Sequence, residues 1–210
     1  MSTTTPDSTK FLISFVVLLE LIHPTEVGSV LVNTRVSTFD IINNDVFFEI
    51  TEPPELEYTY RIKPAKDFGG TFNANFKLRD VALVPVIPPD ACLISTVRNA
   101  EDIRGNVALV ERGDCSFLTK TINIERLGGK AVIITESTAA EGDNEIYIEM
   151  VDDDSGRQTS IPAGFLLGKN GKIIRSTLNR LQRDYAVINL NINLTFVPLH
   201  QINTPPWLGL

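Results

Sequence analysis

Histidine is almost missing from this sequence: among 210 residues only His23 and His200 carry an imidazole. That scarcity removes the usual routes to acid–base work near neutral pH, because a Ser–His–Asp or Cys–His arrangement would have to be built on one of these two. His23 falls in a segment expected to be removed, which leaves His200 beside a proline-rich end. Cysteine is equally scarce, with Cys92 and Cys115 alone, so a zinc site of sulfur and imidazole ligands has too few donors. No paired-histidine zinc motif, phosphate-binding glycine loop or dinucleotide fingerprint occurs. The run Asp152, Asp153, Asp154, Ser155, Gly156 lacks the alternating acids and distal glutamate of a calcium loop, and reads as solvated loop. No metal or cofactor is expected. Basic runs are absent too, and the formal charge of -7 with a pI near 4.9 argues against a nucleic-acid face.

Long apolar runs are also lacking. The longest near the start, residues 11–19 after Lys10, is too short for a membrane helix, which needs about 20 residues. It has the length of the hydrophobic part of a secretory signal, and Val27, Gly28 and Ser29 supply small residues for cleavage. Residues 1–29 are therefore expected to be a signal peptide and residues 30–44 a flexible lead-in. The apolar stretch 185–199 is interrupted by Asn189, Asn191 and Asn193, so no membrane span is expected after cleavage. The expected location is secreted and extracellular. In that oxidising setting Cys92 and Cys115 are expected to form a disulfide; in a reducing one they would be two small apolar thiols. Asn193-Leu194-Thr195 is the chain's one glycosylation triplet, with Asn193 as the acceptor; the plain alternative is a polar residue facing solvent on a strand.

What is present is a β-rich pattern. Strands are expected over residues 46–51, 56–62, 81–84, 106–110, 130–134, 145–151, 161–167 and 185–197. In the second, Leu56, Tyr58, Tyr60 and Ile62 share one face. Residues 106–110 and 130–134 are continuous apolar runs, as in strands buried on both faces. Between them Ser116 is a helix N-cap candidate, Phe117, Leu118, Ile122, Ile124 and Leu127 form an apolar side, and Gly128-Gly129 stops the helix. Strand, helix, strand at this spacing makes a βαβ unit with parallel strands. A second helix is expected over 170–182, with Ile173, Ile174, Leu178 and Leu181 as its stripe. Many short strands around one βαβ unit and two helices read as α+β, in one domain over 45–197 with a C-terminal tail over 198–210.

The segment from Gly105 to Phe117, with its core Arg112-Gly113-x-Cys115-x-Phe117, carries a family resemblance. Lys120, Gly128-Gly129, Ala131 to Ile134, and Ile161-Pro162-Ala163-Gly164-Phe165 follow in the same order. This set resembles the protease-associated domain family. The resemblance implies a swivelling β/β/α domain and a non-catalytic binding or regulatory module for an unknown peptide or protein ligand. Such domains accompany another functional unit, and neither a peptidase domain nor a RING finger is read in this sequence. If a binding loop carries over, it consists of Arg112, Gly113, Asp114, Ser116 and Phe117 beside Cys115. The same residues also fit a purely structural part, with Gly113 setting the turn and Arg112 pairing with an acid. Two competing readings are a hydrolase using carboxylates or His200, and a luminal helper kept in the secretory pathway by a resident protein.

Overall fold

The computed structural model describes residues 45–137 and 148–207. The expected signal peptide, the lead-in, and the first part of the 145–151 strand lie outside the described residues.

Seven strands close into a barrel in the order β1-β2-β6-β5-β4-β3-β7, where β1 is Val46–Glu52, β2 Thr59–Pro64, β3 Leu78–Pro85, β4 Val107–Glu111, β5 Ala131–Thr135, β6 Ala163–Leu166 and β7 Ala186–Ile192. Among the described residues three helices accompany them: α1 (Ala100–Ile103), α2 (Phe117–Arg126) and α3 (Asn170–Arg180). The β4-α2-β5 unit is present as expected, with Val107 opposite Ala131 and Glu111 opposite Thr135. Parallel pairing extends beyond it, since β3 also runs parallel to β4 and β5 to β6. The other four pairings are antiparallel, and β1 closes the ring by bonding both β2 and β7.

Strand alternation sorts the core into two clusters. Val107 and Leu109 of β4, with Ala131 and Ile133 of β5, join Phe48, Tyr60, Ile62, Ile188 and Leu190. The opposite faces, Ala108, Val110, Val132 and Ile134, meet Leu118, Ile122 and Ile124 of α2. Each central strand is thus apolar on both sides, which is why its sequence shows no alternation.

The helix α2 has defined ends. Ser116 Oγ accepts the Thr119 N–H at 3.0 Å as N-cap. At the other end Gly128, with φ +86°, donates its N–H to Glu125 O, and the Gly129 N–H bonds Ile124 O at 3.0 Å. This is a Schellman closure, and the second glycine is needed because a Cβ on Gly129 would strike Ile124.

Several boundaries differ from expectation. Leu56 is buried but belongs to a 3-10 turn, Pro54–Leu56, and the strand starts only at Thr59. Pro53 and Pro54 start that turn, and it carries Leu56 into the same core face that the alternation suggested. Residues 148–151 hold no strand, although Met150 is buried and its carbonyl accepts the Lys66 N–H. The last strand ends at Ile192 rather than running to Val197, so Asn193 sits in a turn: its Oδ1 accepts from Thr195 N at 3.0 Å and Thr195 Oγ1 at 2.6 Å. Of the expected α3 stripe, Ile174 and Leu178 are buried while Ile173 and Leu181 lie at its margin. The segment after β7 packs back on the barrel. Asn203 O accepts the Thr59 N–H at 2.7 Å, and the Trp207 ring stands edge-on to Tyr58 while its Nε1 donates to Asn170 Oδ1.

Candidate functional site

The loop between β4 and α2 begins where the chain leaves the parallel sheet. Arg112 continues the pairing for one residue, its N–H reaching Thr135 O at 2.9 Å. Its guanidinium Nη1 donates to Glu136 Oε2 at 2.8 Å, so the acid partner is found across β5, 24 residues away. Gly113 (φ +110°) and Asp114 (φ +61°) then both take left-handed backbone, a conformation open to glycine and least costly otherwise for Asp and Asn. Both residues are exposed. The turn brings Cys115 back toward the fold, where it is bonded to Cys92.

Beyond the disulfide, Ser116 serves two masters. It caps α2 and its hydroxyl donates to Asp153 Oδ2 at 2.5 Å. Asp153 also receives Arg157 Nη2 at 2.6 Å, and the same nitrogen donates to Thr119 Oγ1 at 2.8 Å. The Ser116 hydrogen bond first, then Ser155 and Arg157, hold the Asp153 carboxyl well below the usual carboxylate range. The Ser116 hydroxyl is thus engaged both as the α2 cap and as a donor to Asp153. Phe117 is half-buried against the α2 core cluster. His200 stands exposed in a short turn, Leu199–Gln201.

The five candidate residues therefore share one loop but face differently. Gly113 and Asp114 are offered to solvent, Arg112 is 39% exposed and held by Glu136, and Ser116 and Phe117 anchor the loop to α2. Two clefts open on the described surface, and none of residues 112–117 lines either of them. One, of about 640 Å³, opens at the ends of β3 and β4 between Ile87, Pro88, Arg98 and the α3 residues Lys172 and Arg175, with Glu111 inside. The other, of about 1080 Å³, lies between residues 63–72 and residues 149–159, and shares Arg157 with the Ser116 network. Among the described residues no group of three or more His, Cys, Asp or Glu converges as metal ligands.

Sequence reasoning named Lys120 within a motif but gave it no part in holding this loop, and passed over Asn123. Lys120 is fully buried, and its Nζ donates to Asp90 O at 2.6 Å and to Cys92 Sγ at 3.4 Å. Asn123 adds two bonds of 2.9 Å to Ala91 O and Cys92 O. Leu93, 63% exposed, and Ile94 follow directly and form an apolar knuckle beside the disulfide. A polar pair spaced i, i+3 on the helix, at Lys120 and Asn123, was the available signal.

Comparison with known proteins agrees with this architecture. Residues 80–174 match the PA domain. A PRADC1-like protein from Drosophila melanogaster is 52% identical over 198 residues, covering 94% of this chain and 99% of that protein. The human ER degradation-enhancing alpha-mannosidase-like protein 3 is 30% identical over 99 residues, 45% of this chain and only 10% of its own length. Among solved structures, a zinc aminopeptidase from Bacillus subtilis superposes with a TM-score of 0.48 at 18% identity, over 70% of this chain and 29% of the enzyme. With its PA-domain match and 52% identity over 99% of the fly protein, this chain belongs to the protease-associated (PA) domain family.

Proposed function

We propose that this protein is a secreted, non-catalytic binding module that engages a peptide or protein through the β4–α2 loop. The observation that carries the reading is the loop itself: Gly113 and Asp114 project from a turn fixed on both sides, by the Arg112–Glu136 pair and by the disulfide and Ser116 cap. An exposed turn held on both sides presents a ligand surface with a reduced ordering cost on binding. The loop hydroxyl is committed to the α2 cap and to Asp153, with no histidine among the described residues bonded to it, which supports binding over hydrolysis.

In this reading residues 1–29 are removed on entering the secretory pathway, the domain spans 45–197, and Asn193 carries a glycan. Its exposed carboxamide in a turn suits a modifying enzyme better than a residue paired within a sheet. Expression of the tagged chain in an animal cell line tests this. The expected product is in the medium, begins near Val30, and loses mass with glycosidase unless Asn193→Gln is introduced. Full-length protein kept in the cell would overturn the location. Turnover of a peptide or glycoside substrate, abolished by His200→Ala or by one carboxylate substitution, would overturn the non-catalytic part.

A further inference from the structure

The contact between Lys120 and Cys92 points past ligand binding, to the disulfide as a chemical site. A lysine with no exposed surface is uncommon, and this one ends 3.4 Å from a sulfur already committed to a covalent bond. The turn that bears Cys92 is gripped by α2 independently of the disulfide: Lys120 Nζ donates to Asp90 O, Asn123 Nδ2 donates to both Ala91 O and Cys92 O, and the Cys92 N–H bonds Asp90 Oδ1 at 2.7 Å. Opening the bond therefore leaves Cys92 beside the amine. The partner sulfur lies in the loop of the exposed Gly113 and Asp114 and is itself only half-buried.

We infer that Cys92–Cys115 is a thiol–disulfide exchange site in which Lys120 holds Cys92 as the departing thiolate. An external thiolate attacks Cys115 Sγ; the Cys92–Cys115 bond breaks and its electron pair leaves on Cys92 Sγ, 3.4 Å from the Lys120 nitrogen. A second external thiol then displaces Cys115 from the mixed disulfide. Two electrons and two protons pass from two thiols, such as two glutathione molecules, to the protein, and the reductant leaves as its own disulfide. A better-stabilised leaving thiolate speeds the first step and shifts the equilibrium toward the reduced form. Burial pushes the Lys120 amine down from its ordinary 10.5, and the charges of Asp90, Asp114 and Glu111 act against that shift. At 3.4 Å the Lys120 nitrogen is placed to donate a charge-assisted hydrogen bond to the departing Cys92 thiolate. Opening would release the Leu93–Ile94 knuckle from the ligand loop, so the reduced and oxidised forms present different surfaces.

The test uses the full chain in two arms. In Cys115→Ser the single thiol Cys92 is titrated by the pH dependence of its alkylation with iodoacetamide. It should react as a thiolate with a midpoint at least one unit below the ordinary value of about 8.5, and Lys120→Met in the same background should return it there. In the protein with both cysteines, equilibration in glutathione buffers should require roughly tenfold more reducing conditions to open the bond once Lys120→Met is made, the counterpart of one unit in thiol pKa. A Cys92 midpoint at or above 8.5, or identical opening in wild type and Lys120→Met, overturns the inference. The second arm needs no cysteine substitution, so it stands even if Cys115→Ser folds poorly.

Discussion

Arg175 of α3 reaches Glu111, the last residue of β4: Nε faces Oε1 at 3.4 Å, while Nη2 donates to Leu109 O at 2.5 Å. Both side chains are nearly buried, so this one pair ties the second long helix to the strand that launches the ligand loop. Removing the guanidinium takes a buried carboxylate's cation away, which costs about 3 kcal/mol or more, whereas replacing both partners by apolar residues is far milder. Urea denaturation should find Arg175→Met strongly destabilised and Arg175→Met with Glu111→Leu substantially recovered. Equal losses in both would deny the pairing its part in the fold.

The disulfide closes a loop with a sequence separation of 23 residues. Restricting the unfolded chain to that extent stabilises by about 3 kcal/mol. Cys92→Ala with Cys115→Ala should lower the unfolding free energy by that order, measured without reductant. A loss near zero would mean that Lys120 and Asn123 hold the 90–92 turn without help.

Helical glycine usually costs about 1 kcal/mol relative to alanine, so Gly171→Ala in α3 would ordinarily stabilise. Here a Cβ would lie 2.6 Å from Thr135 Oγ1 and closer still to its carbons. Overpacking of about 1–3 kcal/mol outweighs the propensity gain. The substitution should therefore lower the melting temperature, and a rise would show that α3 can slide away from β5.

Asp153 has a folded pKa depressed below its ordinary 3.8, chiefly by the Ser116 hydroxyl. Its contribution is present above the unfolded value and is lost as pH falls from there through the folded one. Stability curves from pH 6 down to pH 2 should show the advantage of wild type over Asp153→Asn shrinking below about pH 4. A constant difference across that range would contradict the Ser116–Asp153 bond as its source.

Much of this architecture was readable because local patterns and global placement agree. The runs 107–111 and 131–135 are apolar throughout, and they are buried on both faces; Ser116 and Gly128-Gly129 bracket a helix, and they cap it. What escaped is long-range. Nothing in residues 46–52 says that they bond both β2 and β7, the latter some 140 positions on, and that choice closes the barrel. Nothing near Asp153 marks it as the partner of Ser116, and charge alone suggested a solvated loop. Lys120 was read only as part of a motif; its spacing from Asn123 marked a polar pair on α2, but lysine is so seldom buried that nothing pointed to its contact with Cys92. Leu56 was legible as core but not as turn, since the 3-10 turn preserves the face that alternation assigned.

If the β4–α2 loop is the ligand-contacting surface, charge reversal by Asp114→Lys at its tip should weaken partner binding. The residue is exposed and its backbone suits few other side chains, so Asp114→Asn serves as the control that keeps the conformation and removes the charge. Wild type and both variants, matched for secretion, melting temperature and a closed disulfide, would be crosslinked in conditioned medium and their bound proteins quantified by mass spectrometry. Wild type should retain a partner whose yield falls at least tenfold with Asp114→Lys and less with Asp114→Asn. Identical partners at identical yield from all three proteins would contradict a ligand-contacting loop, and would leave it a structural turn with the ligand surface elsewhere.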